Sequence, residues 1–143
     1  MELILDRLTA NWAQGLHHEA IVTWGGDPSG PRQGCVEGSI GAAISAALYE
    51  SSEGEPINLL SVAAGLLYYL TSNHCFTDGN KRVALTSMDV FLQLNGHELV
   101  VSEPETVIVM NAVAEGSMTE AQLEAWVEQH VAPLTPGDPS PHD

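Results

Sequence analysis

Positive charge is what this sequence has least of. Only four of its 143 residues are lysine or arginine, against 19 aspartates and glutamates, so the formal net charge is -15. Binding to the phosphate backbone of DNA or RNA requires a basic patch, which four cations cannot build. We therefore expect no direct nucleic-acid partner, and the acidity suits solubility or a basic protein partner. Two of the four cations, Lys81 and Arg82, are adjacent.

Cysteines and long apolar runs are also scarce. Two cysteines, Cys35 and Cys75, do not make a disulfide framework, and an N-terminal stretch with Glu2 and Asp6 does not resemble a signal peptide. The longest apolar-rich stretch, Ile57 to Leu70, is too short to span a bilayer comfortably. These features predict a cytoplasmic protein with reduced thiols and no membrane partner.

Apolar residues are plentiful enough for a folded core. They make up 44% of the chain, and the length suits one domain. We expect that domain to cover residues 1–132. Residues 133–143, rich in proline and polar side chains, are predicted to form a disordered tail because they cannot bury enough apolar surface.

The pattern of the domain predicts an all-α fold, a compact helical bundle around two central helices. Those two helices, Ile57 to about Ser72 and Gly79 to Leu94, are apolar on most faces and so belong at the centre. An alanine-rich helix is predicted from Ile40 to Tyr49, and a short extended piece from His97 to Val101. The glycines and prolines of Thr23 to Gly34 predict a loop or a β-hairpin flap.

Several residues are typical of helix starts. Pro56 suits the first turn of the first central helix, since its missing N–H would have no partner there. Ser102 with Glu105, and Ser117 with Glu120, have the spacing of capping boxes that begin two later helices.

The stretch from Asn73 to Leu85 combines features of an anion site. A short polar loop joins the two central helices, and the second helix presents its N-terminal N–H groups and partial positive charge there. Gly79 allows a ligand to approach the backbone closely, and Lys81 and Arg82 add full positive charge. Such a helix N-terminus is suited to binding phosphates.

The same stretch carries a candidate metal ligand and a candidate base. Asp78 offers carboxylate oxygens to a magnesium ion that also binds phosphates, and His74 can accept a proton near neutral pH. Base, metal ligand and anion cradle within nine residues are typical of phosphoryl or nucleotidyl transfer.

Each residue also has a simpler interpretation. Asp78 alone could be a helix N-cap, and His74 a half-buried histidine. Two cations at the positive end of a helix are unfavourable unless an anion compensates them, which favours the site. We also weighed Cys75 as a thiol nucleophile beside His74, and His17 with His18 as metal ligands, but adjacent side chains seldom converge.

The sequence from His74 to Arg82, HCFTDGNKR, resembles the Fic/Doc family signature H-P-F-x-D/E-G-N-G/K-R. It is most similar to the death-on-curing (Doc) toxin branch, in which lysine follows the asparagine. The similarity extends roughly from His17 to His130, with upstream glycines, Arg32 and a final F-L-x-x-N-G element around Phe91. Cys75 stands where proline is commonest in the family.

This resemblance implies a fold, a reaction and a set of residue roles. The fold would be the Fic fold, with Thr23–Gly34 as a flap that docks the target. The reaction would transfer phosphate from ATP, with Mg²⁺, to a Ser, Thr or Tyr hydroxyl of a protein such as a translation factor. The implied roles are general base for His74, magnesium ligand for Asp78, and nucleotide binding for Gly79, Asn80, Lys81 and Arg82.

Two departures from the family's AMP-transferring enzymes favour phosphate transfer. Lys81 replaces a glycine of those enzymes, and Leu85 replaces a second arginine. AMP transfer stays an alternative, as does a catalytically silent protein-binding module with the Fic fold.

The family also implies control by a partner. Some members carry an inhibitory helix with the pattern S/T-x-x-x-E-G/N. Ser51 to Pro56 and Asn111 to Gly116 come nearest to it, but neither satisfies it. The resemblance therefore implies an external antitoxin, and a net charge of -15 would attract a basic segment of such a partner.

Overall fold

Six helices and a two-stranded sheet form the part of the chain described by the computed structural model, residues 4–134. In chain order they are α1 (Ala10–Trp24), α2 (Cys35–Glu50), α3 (Leu59–Ser72), α4 (Asn80–Leu94), β1 (His97–Leu99), α5 (Glu103–Glu115), α6 (Glu120–His130) and β2 (Val131–Pro133). The predicted helical fold is confirmed. Within residues 4–134, every helix is too short or too polar to cross a membrane.

Helix α3 lies at the centre, as its apolar sequence predicts. It packs against α2, α4, α5 and α6, and most of its side chains are buried. Its approach to α2 is close because Gly65 faces Ala43: a Cβ atom at Gly65 would lie 2.8 Å from the Ala43 Cβ atom. Helix α4 is the second central helix, and its buried side chains include Phe91 and Met88.

Two predicted helix starts are wrong by two residues each. Helix α3 begins at Leu59 and not at the predicted Ile57, because its N-cap is Asn58, whose side chain accepts hydrogen bonds from the N–H groups of Leu60 and Ser61. At α6 the capping box joins Thr119 to Gln122. The Ser117 hydroxyl instead donates to the Ala112 carbonyl at the end of α5.

The predicted capping box of α5 is half present. The Ser102 hydroxyl accepts a hydrogen bond from the Glu105 N–H at 3.3 Å. The Glu105 carboxylate, however, accepts from Trp126 Nε1 at 3.0 Å and lies 2.7 Å from His130 Nε2. The second half of the box is therefore replaced by a contact that joins α5 to α6.

The two strands bring the end of the domain back to the end of α4. They pair antiparallel, with Glu98 opposite Ala132. The Leu134 N–H donates to the Gly96 carbonyl at 3.0 Å. The predicted extended piece is confirmed as β1. Pro133, the first residue of the predicted tail, belongs to β2, and residues 135–143 lie outside the described part.

The glycine-rich segment is a loop. Residues 25–34 contain no strand, so the hairpin alternative is wrong for this segment. Helix α2 begins at Cys35, five residues before the predicted start, after Gly34 in a left-handed conformation (φ +74°). The loop runs beside the start of α4, where the Asp27 N–H donates to Asp78.

Candidate active site

The loop of residues 73–79 connects the two central helices. Helix α3 ends at its C-cap Asn73, and α4 begins after Gly79, whose φ of +81° suits a glycine. Among residues 4–134 His74 is the one non-glycine residue with a positive φ, +47°. That conformation costs an ordinary residue about 1–2 kcal/mol. The surrounding contacts must therefore impose it, and the His74 side chain is left exposed.

A buried aromatic stack lies under this loop. The rings of His17 and Phe76 are parallel within 10°, with centroids 3.9 Å apart. His17 Nε2 lies 2.9 Å from the Asp78 carbonyl oxygen, so this nitrogen carries the proton and donates. Both side chains are at most 5% exposed. His17 is thus a support of the loop, and the metal-ligand interpretation of His17 with His18 is not needed.

Asn80 closes the loop from the first turn of α4. Its side-chain oxygen accepts from the Phe76 N–H at 2.9 Å, and its amide nitrogen donates to the Phe76 carbonyl at 2.7 Å. This two-way bridge satisfies both backbone groups of Phe76. Asn80 therefore fixes the shape of the loop, and its predicted role in nucleotide binding stays a prediction.

The segment before α2 binds the loop from the other side. The Arg32 N–H donates to the Cys75 carbonyl at 2.9 Å, and the Arg32 guanidinium donates to the Asn73 carbonyl. A disulfide joins Cys35 to Cys75, whose Cα atoms are 5.4 Å apart. His74 is therefore fixed on both flanks.

This disulfide corrects one prediction about the cysteines and agrees with the rejection of an alternative. The expectation of reduced thiols is wrong for Cys35 and Cys75, because the start of α2 brings the two side chains into bonding distance. The thiol-nucleophile alternative for Cys75 also fails, since its sulfur is bonded and the residue is 2% exposed.

Asp78 is the carboxylate of the site. One of its oxygens accepts from the Asp27 N–H at 3.3 Å and the other from the Gly79 N–H at 3.2 Å. Gly26 lies so close that a Cβ atom there would be 2.8 Å from the Asp78 carboxylate. Next to it, the Ser29 hydroxyl and N–H bind the Asp27 carboxylate and hold the pKa of that group below its ordinary value.

The residues at hand suit magnesium bound through a nucleotide. The exposed Asp78 carboxylate is a hard oxygen donor, and magnesium takes one or two carboxylates together with substrate oxygens. Among residues 4–134 no group of three or more His, Cys, Asp or Glu side chains could bind a metal by itself. The remaining ligands would have to be phosphate oxygens and water.

The two cations leave the first turn of α4 toward different neighbours. Lys81 Nζ donates to the Asn111 side-chain oxygen of α5 at 2.8 Å. The Arg82 guanidinium carbon lies 4.3 Å from the centre of the Trp24 ring, at the end of α1. The N-cap Gly79 has no side chain to accept hydrogen bonds from the first turn of α4. The partial positive charge of this helix N-terminus therefore lies next to the full charges of Lys81 and Arg82.

One open cleft of about 410 Å³ brings these groups together. All six residues that the sequence singled out line it, namely His74, Asp78, Gly79, Asn80, Lys81 and Arg82. The Asp78 interpretation as helix N-cap is wrong, since Gly79 occupies that position. An exposed imidazole, a carboxylate and two cations at a helix N-terminus define a site that suits phosphate groups.

Comparison with known proteins agrees with this class of site. The Fic/DOC family pattern matches residues 7–92. Over 108 residues the chain is 34% identical to the protein kinase doc of Escherichia phage P1, in an alignment that covers 76% of this chain and 82% of that protein. The chain therefore belongs to the Fic/DOC family.

The sequence did not reveal several contributors to the site. The sequence places Trp24 in a predicted loop and Asn111 in a predicted helix, and neither position indicates a site. The family pattern includes Arg32 but does not predict its contacts with the loop. No periodicity could signal these residues, because each reaches the site from an element distant in sequence.

Proposed function

We propose that this chain is a Doc-like enzyme that transfers the γ-phosphate of ATP to a Ser, Thr or Tyr hydroxyl of another protein. One observation carries the proposal: the exposed His74 imidazole shares a cleft with Asp78 and with the cationic N-terminus of α4. A base and an anion site at one place are what transfer of a phosphoryl group to a hydroxyl requires.

The reaction assigns a task to each residue. The target hydroxyl oxygen bonds to the γ-phosphorus, and His74 takes the hydroxyl proton. The bond from the γ-phosphorus to the bridging oxygen breaks, and ADP leaves with that electron pair. Lys81 and Arg82 neutralise phosphate charge, and the N–H groups at the start of α4 donate hydrogen bonds to a phosphate oxygen. The product is a phosphoprotein with the proton on His74.

Asp78 would hold the magnesium ion. When bound, the ion neutralises phosphate charge and orients the phosphates. The Gly26–Asp27 backbone keeps the Asp78 carboxylate at the edge of the cleft, since the Asp27 N–H donates to one oxygen of the Asp78 carboxylate. Gly26 allows this approach because a side chain there would collide with the carboxylate.

Phosphate transfer is favoured over AMP transfer by two positions on α4. The resemblance to the family implies that Lys81 and Leu85 stand where its AMP-transferring enzymes carry glycine and arginine. Leu85 lines a neighbouring groove with Lys81 and Met110. Its side chain is apolar and cannot bind a phosphate as an arginine at this position would. The cleft thus carries one arginine after the motif lysine.

The mass added to a target protein tests the proposal. Incubation of candidate targets with ATP and magnesium should add about 80 Da, the mass of a phosphate, whereas AMP transfer would add about 329 Da. An AMP adduct would overturn phosphate transfer but retain the site. If no adduct forms and magnesium-ATP does not raise the melting temperature, the silent binding module becomes the better account.

We further propose that a separate antitoxin inhibits the enzyme. A groove of about 310 Å³ between α4 and α5 supports a partner, since it includes Leu85, Val107 and Met110 beside both cations. Expression of the chain alone should arrest growth, while His74→Ala should be harmless. Harmless expression of an active chain would contradict this.

A further inference from the structure

We propose that Trp24 is a positioning residue for phosphate binding, which acts by holding the Arg82 guanidinium over its ring. The proposal deepens the proposed function and rests on it. The Arg82 Cζ atom lies 4.3 Å from the centre of the Trp24 ring, within the range of a cation–π contact. Both residues line the cleft that contains His74 and Asp78.

Trp24 presents a largely exposed ring to the cleft. Its side chain is 67% exposed and lines the cleft beside Arg82. Its position is nevertheless fixed. It is the last residue of α1, whose C-cap Gly25 donates to the Ile21 carbonyl at 2.8 Å. His17, earlier on the same helix, bonds to the Asp78 carbonyl.

The nature of the partner of Arg82 points to an anionic ligand. Within residues 4–134 Arg82 forms no salt bridge, although the sequence has 19 acidic residues. A carboxylate partner would occupy the guanidinium N–H groups and compete with a phosphate. An aromatic ring contacts the flat face and leaves those N–H groups at the edge free for two parallel bonds to phosphate.

Stacking also removes freedom from Arg82 before the ligand binds. A long exposed arginine loses rotamer entropy when a ligand immobilises it, so a side chain already ordered against Trp24 loses less. We therefore expect the Trp24 ring to act on affinity for phosphate groups. It would not act on the adenine base, and it would not act on the proton transfer at His74.

Calorimetric titration with two probes, magnesium-ATP and inorganic tripolyphosphate, tests this role. Trp24→Leu should weaken binding of both probes by a similar factor, about two- to five-fold. Trp24→Phe should restore most of the affinity because it keeps an aromatic face. Tyr49→Leu, which removes a 92% exposed ring on α2, is the matched control and should change neither affinity.

A double-mutant cycle with Arg82→Gln separates the possible outcomes. In the Arg82→Gln background, Trp24→Leu should cause no further loss. Loss for magnesium-ATP alone would show that the ring contacts the base, and an undiminished effect in that background would show that the ring acts independently of Arg82. Either result would overturn the proposal. Normal binding by Trp24→Leu beside weakened Arg82→Gln overturns it too. Normal binding by Arg82→Gln would instead refute the anion site itself, and with it the proposed function.

Discussion

Side chains of the loop 73–79 divide into those that face the protein and those that face the cleft. Phe76 is buried against His17, and Asn80 bridges the backbone of Phe76. His74 and Asp78 are exposed and line the cleft. Chemistry and support therefore lie on different residues, so a substitution on the cleft side should affect function without unfolding the domain.

Asp78→Asn tests this separation at the metal position. The change keeps the shape of the side chain and removes its charge, so it should weaken binding of magnesium-ATP at least about tenfold. The melting temperature should change little, because Asp78 is not the N-cap of α4 and the two N–H groups that its carboxylate binds are exposed to water. Calorimetric titration in magnesium and in EDTA should show the loss only with the metal.

Asp27→Asn is the matched control for Asp78→Asn. Asp27 is next to Asp78, since its N–H donates to the Asp78 carboxylate. The Asp27 carboxylate itself, however, binds Ser29 and does not line the cleft. Magnesium dependence should therefore stay as in the wild type. Equal losses in the two variants, or equal losses with and without magnesium, would remove Asp78 from the metal site.

Helix packing around α3 depends on small residues at its contact with α2. Gly65 meets the backbone of Ala43 at a distance that leaves no room for a methyl group. Gly65→Ala should therefore destabilise the protein by about 1–3 kcal/mol, because the backbone of α2 would have to shift. Urea unfolding monitored by circular dichroism would measure the change.

Gly41→Ala in α2 is the control for the helical glycine. A Cβ atom at Gly41 meets nothing within 4 Å, so alanine should stabilise the helix by up to about 1 kcal/mol. Opposite signs for the two variants would locate the effect in the packing of α3 on α2. A neutral or stabilising Gly65→Ala would contradict the close approach.

Three helices meet at an acidic cluster away from the cleft. The Ser61 hydroxyl donates to Glu50, and the Tyr69 hydroxyl donates to Glu120 at 2.7 Å. The bond to Glu120 raises the pKa of Tyr69 to about 12. Burial, and then the neighbouring Glu50 and Glu120, raise the pKa of Glu124 above its ordinary value, against a hydrogen bond from Ser61.

Glu124→Gln should therefore stabilise the protein at neutral pH. A raised pKa means that the folded protein binds this proton more tightly than the unfolded chain, so stability falls as the pH rises through and above 4.5. At pH 7 the variant should melt about 1–3 °C higher, since partly exposed charges interact weakly. The gain should vanish below pH 4.5. Glu128→Gln, exposed on the same helix, is the control for the loss of a charge and should leave the melting temperature unchanged at pH 7.

The sequence predicted the helices better than their ends. The two central helices could be predicted because their residues are apolar on most faces. A helix with that pattern is stable only in the core of the protein. Their starts depend on which of several nearby polar groups accepts the first N–H bonds. At α3 it is the Asn58 side chain that accepts them, and the helix therefore begins after Asn58 and not at Pro56. Glu105 does not complete its predicted capping box because Trp126 and His130, which are distant in sequence, bind its carboxylate.

At the scale of the whole molecule, one covalent bond joins the start of α2 to the loop of the site. Cys35 and Cys75 are 40 residues apart in sequence. Closing a loop of that length restricts the unfolded chain, so replacing both cysteines with serine should cost about 2–4 kcal/mol. Unfolding in urea with and without dithiothreitol would measure this.

The serine variant supplies its own control. Dithiothreitol should destabilise the wild type and leave the double variant unchanged. Equal stability of the oxidised wild type and the double variant would show that the bond adds nothing to folding.

The candidate site could be predicted where the motif is continuous in sequence and not where it is assembled in space. His74 to Arg82 occupy nine consecutive positions, so their residue types alone suggested the chemistry. Trp24, Cys35 and Asn111 reach the same loop and helix from three other elements. Only the packing of α1, α2 and α5 around α4 and its loop brings them there.

The most direct test of the account follows the two ends of the triphosphate of ATP separately. The wild type should transfer radioactivity from γ-labelled ATP, and none from α-labelled ATP, to its target protein. His74→Ala should reduce this transfer by about 10²–10⁴-fold, with magnesium-ATP affinity and melting temperature unchanged, while His18→Ala should be normal. Transfer of the α-label would refute phosphate transfer, and full activity of His74→Ala would refute the role of His74 as the base.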